Sequence, residues 1–267
     1  MTADYLGLKI GGSLFSDKSR EDSLDHQALA AYAGLVGSLA RRRPGRVVLI
    51  TGGGGIGHGA IRGQSGRSAR SLIGLARATF SVRWAWTEAL AGAGVAALPL
   101  QLSAMCTIRD GRPQMSAGVI TDCLAAGLLP VLSGDCLLTD QGGLSAFSSD
   151  RVPEVLLAAL PGSVRVVMLT DVPGVLVGGP HGTEVLREID ACRPGPAYDL
   201  LWQQSEWDVT GAMRAKLDAL VTCARGGAEC YIMRGDPHCG DLTHLLDDVA
   251  GWPPGLQYTR VAEGTRR

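Results

Sequence analysis

The sequence predicts an α/β fold: a three-layer αβα sandwich built on an open, mainly parallel sheet. Three observations carry that reading. Apolar runs of strand length alternate with helix-length amphipathic stretches along most of the 267 residues. The runs are continuously apolar, as in parallel strands covered on both faces. Two of them end in glycine turns, Gly11-Gly12 and Gly52–Gly55, where open α/β sheets present ligand-binding loops. Length and an apolar share of 46% suit one domain over 1–267 with ample core. Two lobes sharing the sheet, about 1–150 and 151–267, would meet near 150–175.

Leu6–Ile10 reads as the first strand. A helix over about 26–42 follows, with Leu29, Tyr32, Ala33 and Val36 on one face. Arg46–Thr51 is the second strand and runs into Gly52–Gly59. A long helix spans about Arg70–Ala91, with no Gly or Pro after Gly74. Val95–Leu100 is a strand, Ser116–Ala126 a helix ended by Gly127, and Leu128–Leu132 a strand. Gly134–Ala146 reads as a polar hairpin turning at Asp140-Gln141-Gly142-Gly143. Val152–Leu160 is a helix; Pro153 is tolerated because first-turn N–H groups have no helical partner. Ser149 or Asp150 is its expected N-cap. Val164–Thr170 is a strand and Val185–Ile189 a small extra one. Gly211–Ala224 is a helix, Ala228–Met233 a closing strand, and the tail after Trp252 irregular.

The net charge of −1 and the lack of a basic stripe argue against a nucleic-acid binder. No signal peptide is visible and no apolar run reaches the roughly 20 residues of a membrane span, so a cytoplasmic protein is expected. Seven cysteines lack any Cys-x-x-Cys, and Cys123, Cys136, Cys223 and Cys230 sit in apolar runs as small hydrophobes. Cys239 with His238 and His244 fits no zinc spacing, so no protein-held metal is expected.

Only three of the twenty-five basic residues are lysine: Lys9, Lys18 and Lys216. In so arginine-rich a chain, a lysine points to a place where a compact point charge is needed, as against a phosphate oxygen, the alternative being codon drift that left three lysines by chance. Lys9 precedes Gly11-Gly12-Ser13, and Lys216 lies on a helix just after Asp208-Val209-Thr210-Gly211. Lys216 falls on the flank of the stripe Met213, Leu217, Leu220, Val221 and Ala224, where its stem can cross apolar surface and deliver its charge to a cleft.

The run Thr51-Gly52-Gly53-Gly54-Gly55-Ile56-Gly57-His58-Gly59 lets the backbone turn sharply and bring N–H groups up to an anion, before the positive end of a helix. His58 inside it could donate to an anionic substrate. Gly52, Gly54 and Gly57 also satisfy the dinucleotide fingerprint, but the acid expected about 20 residues on is missing from Ser71–Phe80. A Walker A loop is excluded because no Gly is followed by Lys. Two glycine turns at one sheet edge suit a ligand with two phosphate-like ends, which favours phosphoryl over hydride transfer. Asp150, in Ser148-Ser149-Asp150, could orient the lysine ammonium groups or merely cap. Thr170-Asp171-Val172-Pro173-Gly174 ends a strand in a turn suited to a base or ribose.

Together these segments, from Leu8-Lys9-Ile10-Gly11-Gly12-Ser13 to Lys216, resemble the amino-acid kinase superfamily, which transfers a phosphoryl group from ATP. Gly57-His58-Gly59 resembles the branch holding isopentenyl phosphate kinase and the fosfomycin kinases, where the histidine touches the acceptor. Further stretches resemble the fosfomycin kinases: Gly12–Ser16, His58–Arg62, Pro99–Leu102, Ala104–Thr107, Phe147–Leu157 and Ser205–Cys223. The resemblance implies that Lys9 and Lys216 stabilise the transferring group and that Asp150 organises them. It places Gly53, His58, Ser148 and Ser149 at the acceptor, with Lys18 as a lid contact. Gly11, Gly12, Ser13, Gly54, Asp171, Gly174, Thr210 and both Lys9 and Lys216 would lie along ATP. Ser65–Arg70, rich in Gly, Ser and Arg, departs from the pattern.

The expectation is therefore an ATP- and Mg2+-dependent kinase, homodimeric, acting on the phosphonate of fosfomycin to give fosfomycin monophosphate and ADP. Isopentenyl phosphate is the nearest alternative acceptor; it would need an apolar tunnel for its five-carbon tail, whereas fosfomycin needs a small closed polar pocket, so the pocket lining separates the two. Another small phosphonate or phosphate, and an ATP-binding sensor without transfer chemistry, are further alternatives.

Overall fold

The computed structural model describes residues 2–17, 20, 23–60, 69–116, 118–178, 182–201 and 212–264. The elements in chain order are β1 (Tyr5–Ile10), α1 (His26–Arg42), β2 (Val47–Thr51), α2 (Gly54–Gly59), α3 (Ala69–Gly92), β3 (Ala97–Pro99), β4 (Cys106–Arg109) and β5 (Arg112–Met115). There follow α4 (Val119–Ala125), β6 (Leu129–Ser133), β7 (Asp135–Thr139), β8 (Leu144–Phe147), α5 (Val152–Ala159), β9 (Val164–Thr170), β10 (Leu176–Val177), β11 (Glu184–Val185) and β12 (Glu188–Asp190). The chain continues through α6 (Gly195–Tyr198), α7 (Ala212–Arg225), β13 (Glu229–Arg234) and β14 (Tyr258–Ala262).

Among the described residues the main sheet has eight strands in the order β12-β14-β13-β9-β1-β2-β6-β3. From β13 to β3 all neighbours are parallel; β14 runs antiparallel to β13. The sandwich and its mainly parallel sheet are thus as read from the sequence. No helix of the described residues is long and apolar enough to cross a membrane.

Each face of the sheet has its own core. Leu6, Leu8, Ile10, Leu49, Val167, Leu169 and Tyr231 pack with α1 and α3. Val48, Ile50, Val166, Met168 and Ile232 pack with α5 and α7. The two-residue period of a strand assigns these faces. On β1 it sends the even positions toward α1 and α3, and leaves Tyr5, Gly7 and Lys9 for the opposite layer. Gly7 confirms the direction, because a Cβ there would lie 2.7 Å from Leu156 of α5.

Four expectations need correction. Ala228–Met233 does not close the sheet, since β14 covers its outer side. The tail after Trp252 is not all irregular: Tyr258–Ala262 is β14, with Thr259 and Val261 buried at alternate positions. Val185–Ile189 is not one strand but parts of β11 and β12, which join different sheets. The expected cap of α5 is also displaced. Arg151 stands at its N-cap without a side-chain cap, and Ser148 caps a 3-10 turn, Ser149–Arg151, instead. The extra turn ahead of the helix shifts the capping position upstream. The β4–β5 hairpin went unforeseen, although Asp110-Gly111, with φ of 49° and 73°, is a strong hairpin signal. Strands β4, β5, β7 and β8 form a second sheet that follows from the carboxyl ends of β3 and β6.

Candidate active site

The carboxyl ends of β1 and β2 lie side by side, with Ile10 in register with Thr51. The two glycine turns that follow are therefore in contact. A Cβ on Gly12 would lie 2.6 Å from the Gly54 nitrogen, and one on Gly52 would lie 2.4 Å from the Gly12 nitrogen. No side chain fits at either position, so the glycines are required for backbone-to-backbone approach. Gly54 also has φ of +56°. The Gly52 N–H donates to the Ile10 carbonyl at 2.9 Å and the Gly11 N–H to the Leu169 carbonyl at 3.0 Å. Ser16 Oγ accepts from the Gly55 N–H at 2.5 Å, tying the second turn to the segment after the first. The strand order switches at this point of the sheet, with β2 on one side of β1 and β9 on the other, which is where open α/β folds bind ligands.

Lys9 and Asp150, 141 residues apart, form an ion pair. Lys9 is 3% exposed and Asp150 13%. The pair follows from the fold: Lys9 projects from β1 toward the α5 layer, and Asp150 sits in the 3-10 turn that leads into α5. Ser148 Oγ accepts from the Asp150 N–H at 3.2 Å and holds that turn. Burying an ammonium group away from a partner is strongly unfavourable, so the carboxylate neighbour compensates the burial of Lys9 and aims it. Lys216 is 8% exposed, on the flank of a stripe in which Met213, Leu217, Leu220, Val221 and Ala224 are all buried. Its helix, α7, packs against the turn that carries Asp150.

Three regions predicted from sequence thus adjoin: both glycine turns, Lys9 with Asp150, and helix α7, which bears Lys216 and packs on the Asp150 turn. Gly11 and Gly12 line the first turn; Ser13 is exposed within the 3-10 turn Gly12–Leu14. Gly53 and Gly54 open α2, whose backbone includes His58. Ser148 is exposed and Ser149 half-buried beside Gly134, where a Cβ would lie 2.8 Å from the Ser149 nitrogen. Asp171 is exposed at the end of β9 and accepts from Thr170 Oγ1 at 2.9 Å. Gly174 is turned away from solvent, packed against Thr259 and Val185. Lys18 and Thr210 lie outside the described residues, as does most of Ser65–Arg70; Ala69 and Arg70 open α3.

Two cavities flank the glycine turns' edge of the sheet. One, of about 370 Å³, lies between α2 and α3 and is lined by Ile56, Gly59, Ala60, Gly74, Arg77, Ala78 and Ser81. The other, of about 230 Å³, lies at the ends of β9 and β13, among Pro173, Arg234, Asp236, Cys239, Asp241 and Leu256. Arg234 and Asp236 were missed by the sequence reading; their place at and just after the end of a buried apolar strand was the available signal. Among the described residues no group of three or more His, Cys, Asp and Glu side chains is placed to hold a metal ion.

Residues 8–234 match the amino acid kinase family. The chain is 36% identical over 253 residues to the isopentenyl phosphate kinase of Haloferax volcanii, covering 93% of this chain and 96% of that protein. It is 28% identical to the enzyme of that name from Methanothermobacter thermautotrophicus, over 85% and 89% of the two chains. An X-ray structure of isopentenyl phosphate kinase superposes with a TM-score of 0.71 at 22% identity, over 97% and 99% of the chains. These relatives correct the expectation of fosfomycin as acceptor, since the names they carry are those of isopentenyl phosphate kinase. The physical reason is that phosphate and phosphonate present the same anionic oxygens to glycine turns, a loop histidine or serines. Such residues do not by themselves select the group that carries the anion. The chain belongs to the amino acid kinase family, in its isopentenyl phosphate kinase-like branch.

Proposed function

We propose that this protein is a kinase that transfers the γ-phosphoryl group of Mg–ATP to the phosphate of isopentenyl phosphate, releasing ADP. The observation that carries the chemistry is the buried Lys9–Asp150 pair beside two glycine turns in backbone contact. The acceptor is supported by the relatives' names and by the α2–α3 cavity, whose lining includes Ile56, Ala60 and Ala78.

In this reading an acceptor phosphate oxygen attacks the γ-phosphorus, and the bond from that phosphorus to the bridging oxygen of ADP breaks. A phosphate monoester is already anionic near neutral pH, with a second pKa of about 6, so no general base is required. Catalysis is in-line positioning and charge stabilisation. Lys9, aimed by Asp150, and Lys216 neutralise the transferring group. With the N–H groups of Gly11, Gly52 and Gly55 engaged inside the fold, those of Gly12, Ser13, Gly53 and Gly54 face the phosphates. Gly53, His58, Ser148 and Ser149 hold the acceptor, with Lys18 closing over it. Asp171 and Thr210 serve the nucleotide, whose nucleoside end takes the cavity among Pro173, Arg234 and Asp236; Gly174 shapes that loop. The residues up to about 150 thus form the acceptor lobe and the rest the ATP lobe, in a cytoplasmic protein.

The partner in assembly is a second copy. Ile73, Phe80 and Trp84 are exposed on one side of α3, with the Phe80 and Trp84 rings stacked at 6.3 Å. That face is the proposed dimer contact.

The test is acceptor-dependent ADP release with Mg–ATP, comparing isopentenyl phosphate and fosfomycin side by side, with phosphorus NMR of the product. A diphosphate signal from isopentenyl phosphate is the expected result. Turnover of fosfomycin alone would overturn the acceptor and leave the lysine roles standing. ATP binding with no turnover of either would favour the sensor alternative.

A further inference from the structure

Arg83 of α3 is a charged side chain with 0% exposure. Its Nη1 donates to Ser133 Oγ and its Nη2 to Gln101 Oε1. Gln101 Nε2 donates in turn to Asp135 Oδ2 at 2.6 Å. Asp135, also 0% exposed, accepts further from the N–H groups of Ser103 at 3.0 Å and Cys136 at 2.8 Å. Arg83 Nε is buried with no hydrogen-bond partner. Burial lowers the Arg83 pKa and Asp135 opposes that shift. A buried charge network of this kind is rarely a gain over well-packed apolar side chains. An incompletely satisfied one is costlier still.

The placement offers a reason for it. Gln101 follows β3, Ser133 ends β6 and Asp135 opens β7, all at the ligand-binding edge. Ser133 is in register with Thr51, the residue before Gly52. Gly134 packs backbone-to-backbone on Ser148 and Ser149. In the turns just upstream of Arg83, α3 supplies Gly74, Arg77, Ala78 and Ser81 to the cavity beside α2. By helical spacing these four stand on the side of α3 opposite Arg83.

The geometry points to Arg83 as a positioning residue for the acceptor: it fastens α3 to the ends of β3 and β6, and so fixes both the cavity wall and the Ser148–Ser149 seat. This inference rests on the proposed kinase reading. A hydrogen-bonded fork with two anchors sets distance and angle together, which apolar packing and a single-point lysine do not. The competing role is a plain counter-ion to Asp135.

The experiment uses Arg83→Met, the double variant Arg83→Met/Asp135→Asn, and Leu39→Ala as a control that loosens the α1 core. In Arg83→Met the KM for isopentenyl phosphate should rise about tenfold or more while that for ATP stays within about twofold. The double variant should keep the raised KM, and Leu39→Ala should leave it unchanged. An unchanged acceptor KM in Arg83→Met overturns the inference, and so does its recovery in the double variant. If Arg83→Met does not fold, Ser133→Ala takes its place, with a rise of about threefold expected and no rise overturning. If the wild type does not turn over isopentenyl phosphate, the function reading fails on its own. Hydrogen exchange then decides: the α3 amides of 69–81 should exchange about tenfold faster in Arg83→Met and not in Leu39→Ala. Equal exchange would overturn the role of Arg83 whatever the acceptor.

Discussion

Lys9 shows how much one side chain's address depends on its neighbours. On β1 it is flanked by Leu8 and Ile10, which face the other core, so its position in the strand alone sends it toward Asp150. Replacing Lys9 or Lys216 by Ala should lower kcat by about 10²–10³-fold, the usual loss when a preorganised charge is removed from a transition state. The far-UV circular dichroism should stay native. Lys9→Arg should not restore turnover, because the planar fork does not fit the slot of a point charge. Near-wild-type turnover in any of these variants would remove the assigned role. The cysteines give a second test at this scale. Burial pushes the Cys223 thiol up to about 12 and Cys230 well above its ordinary value. The reactive thiolate of each is therefore depleted at pH 8, and appears only as pH rises through the raised value. Iodoacetamide at pH 8 on the native protein should label exposed Cys192 and spare Cys223 and Cys230, read by peptide mass spectrometry.

At the scale of elements, the contact between the β1 and β2 turns tolerates little change. Gly52→Ala would place its Cβ 2.4 Å from the Gly12 nitrogen, a backbone atom with nowhere to retreat. The strands' carboxyl ends would be forced apart. A loss of about 1–3 kcal/mol is expected from such overpacking, read from urea midpoints, with turnover falling further than stability. Gly57→Ala is the contrast: a Cβ there meets nothing within 4 Å, so its stability should stay within about 0.5 kcal/mol of wild type. A Gly52→Ala protein as stable and active as wild type would mean the turns need not touch.

At the scale of the whole molecule, α3 presents one side to the core and another to solvent. Val82, Trp86 and Leu90 fill the core, Phe15 meets Trp86 edge-on at 5.3 Å, and Ile73, Phe80 and Trp84 stay exposed. A large aromatic left in water is unusual enough to suggest a partner. Trp84→Asp should convert the proposed dimer to monomer by sedimentation equilibrium at micromolar protein. A wild type that sediments as a monomer under those conditions would retire the contact.

Local chemistry made much of this protein legible from its residues. Continuous apolar runs marked the parallel strands, glycines after strands marked the two turns that touch, and the scarcity of lysine drew attention to Lys9 and Lys216, both of which are buried. Asp110-Gly111 and the alternation over Tyr258–Ala262 were equally local signals, and reading them would have recovered β4–β5 and β14. What only the tertiary structure decided is who meets whom. The Lys9–Asp150 pair closes over 141 residues, and Arg83 reaches Ser133 across 50. Strand order, register and the side of the sheet on which α5 lands set these distances. None of the three is encoded in any short stretch of chain, because each is the outcome of packing two cores at once.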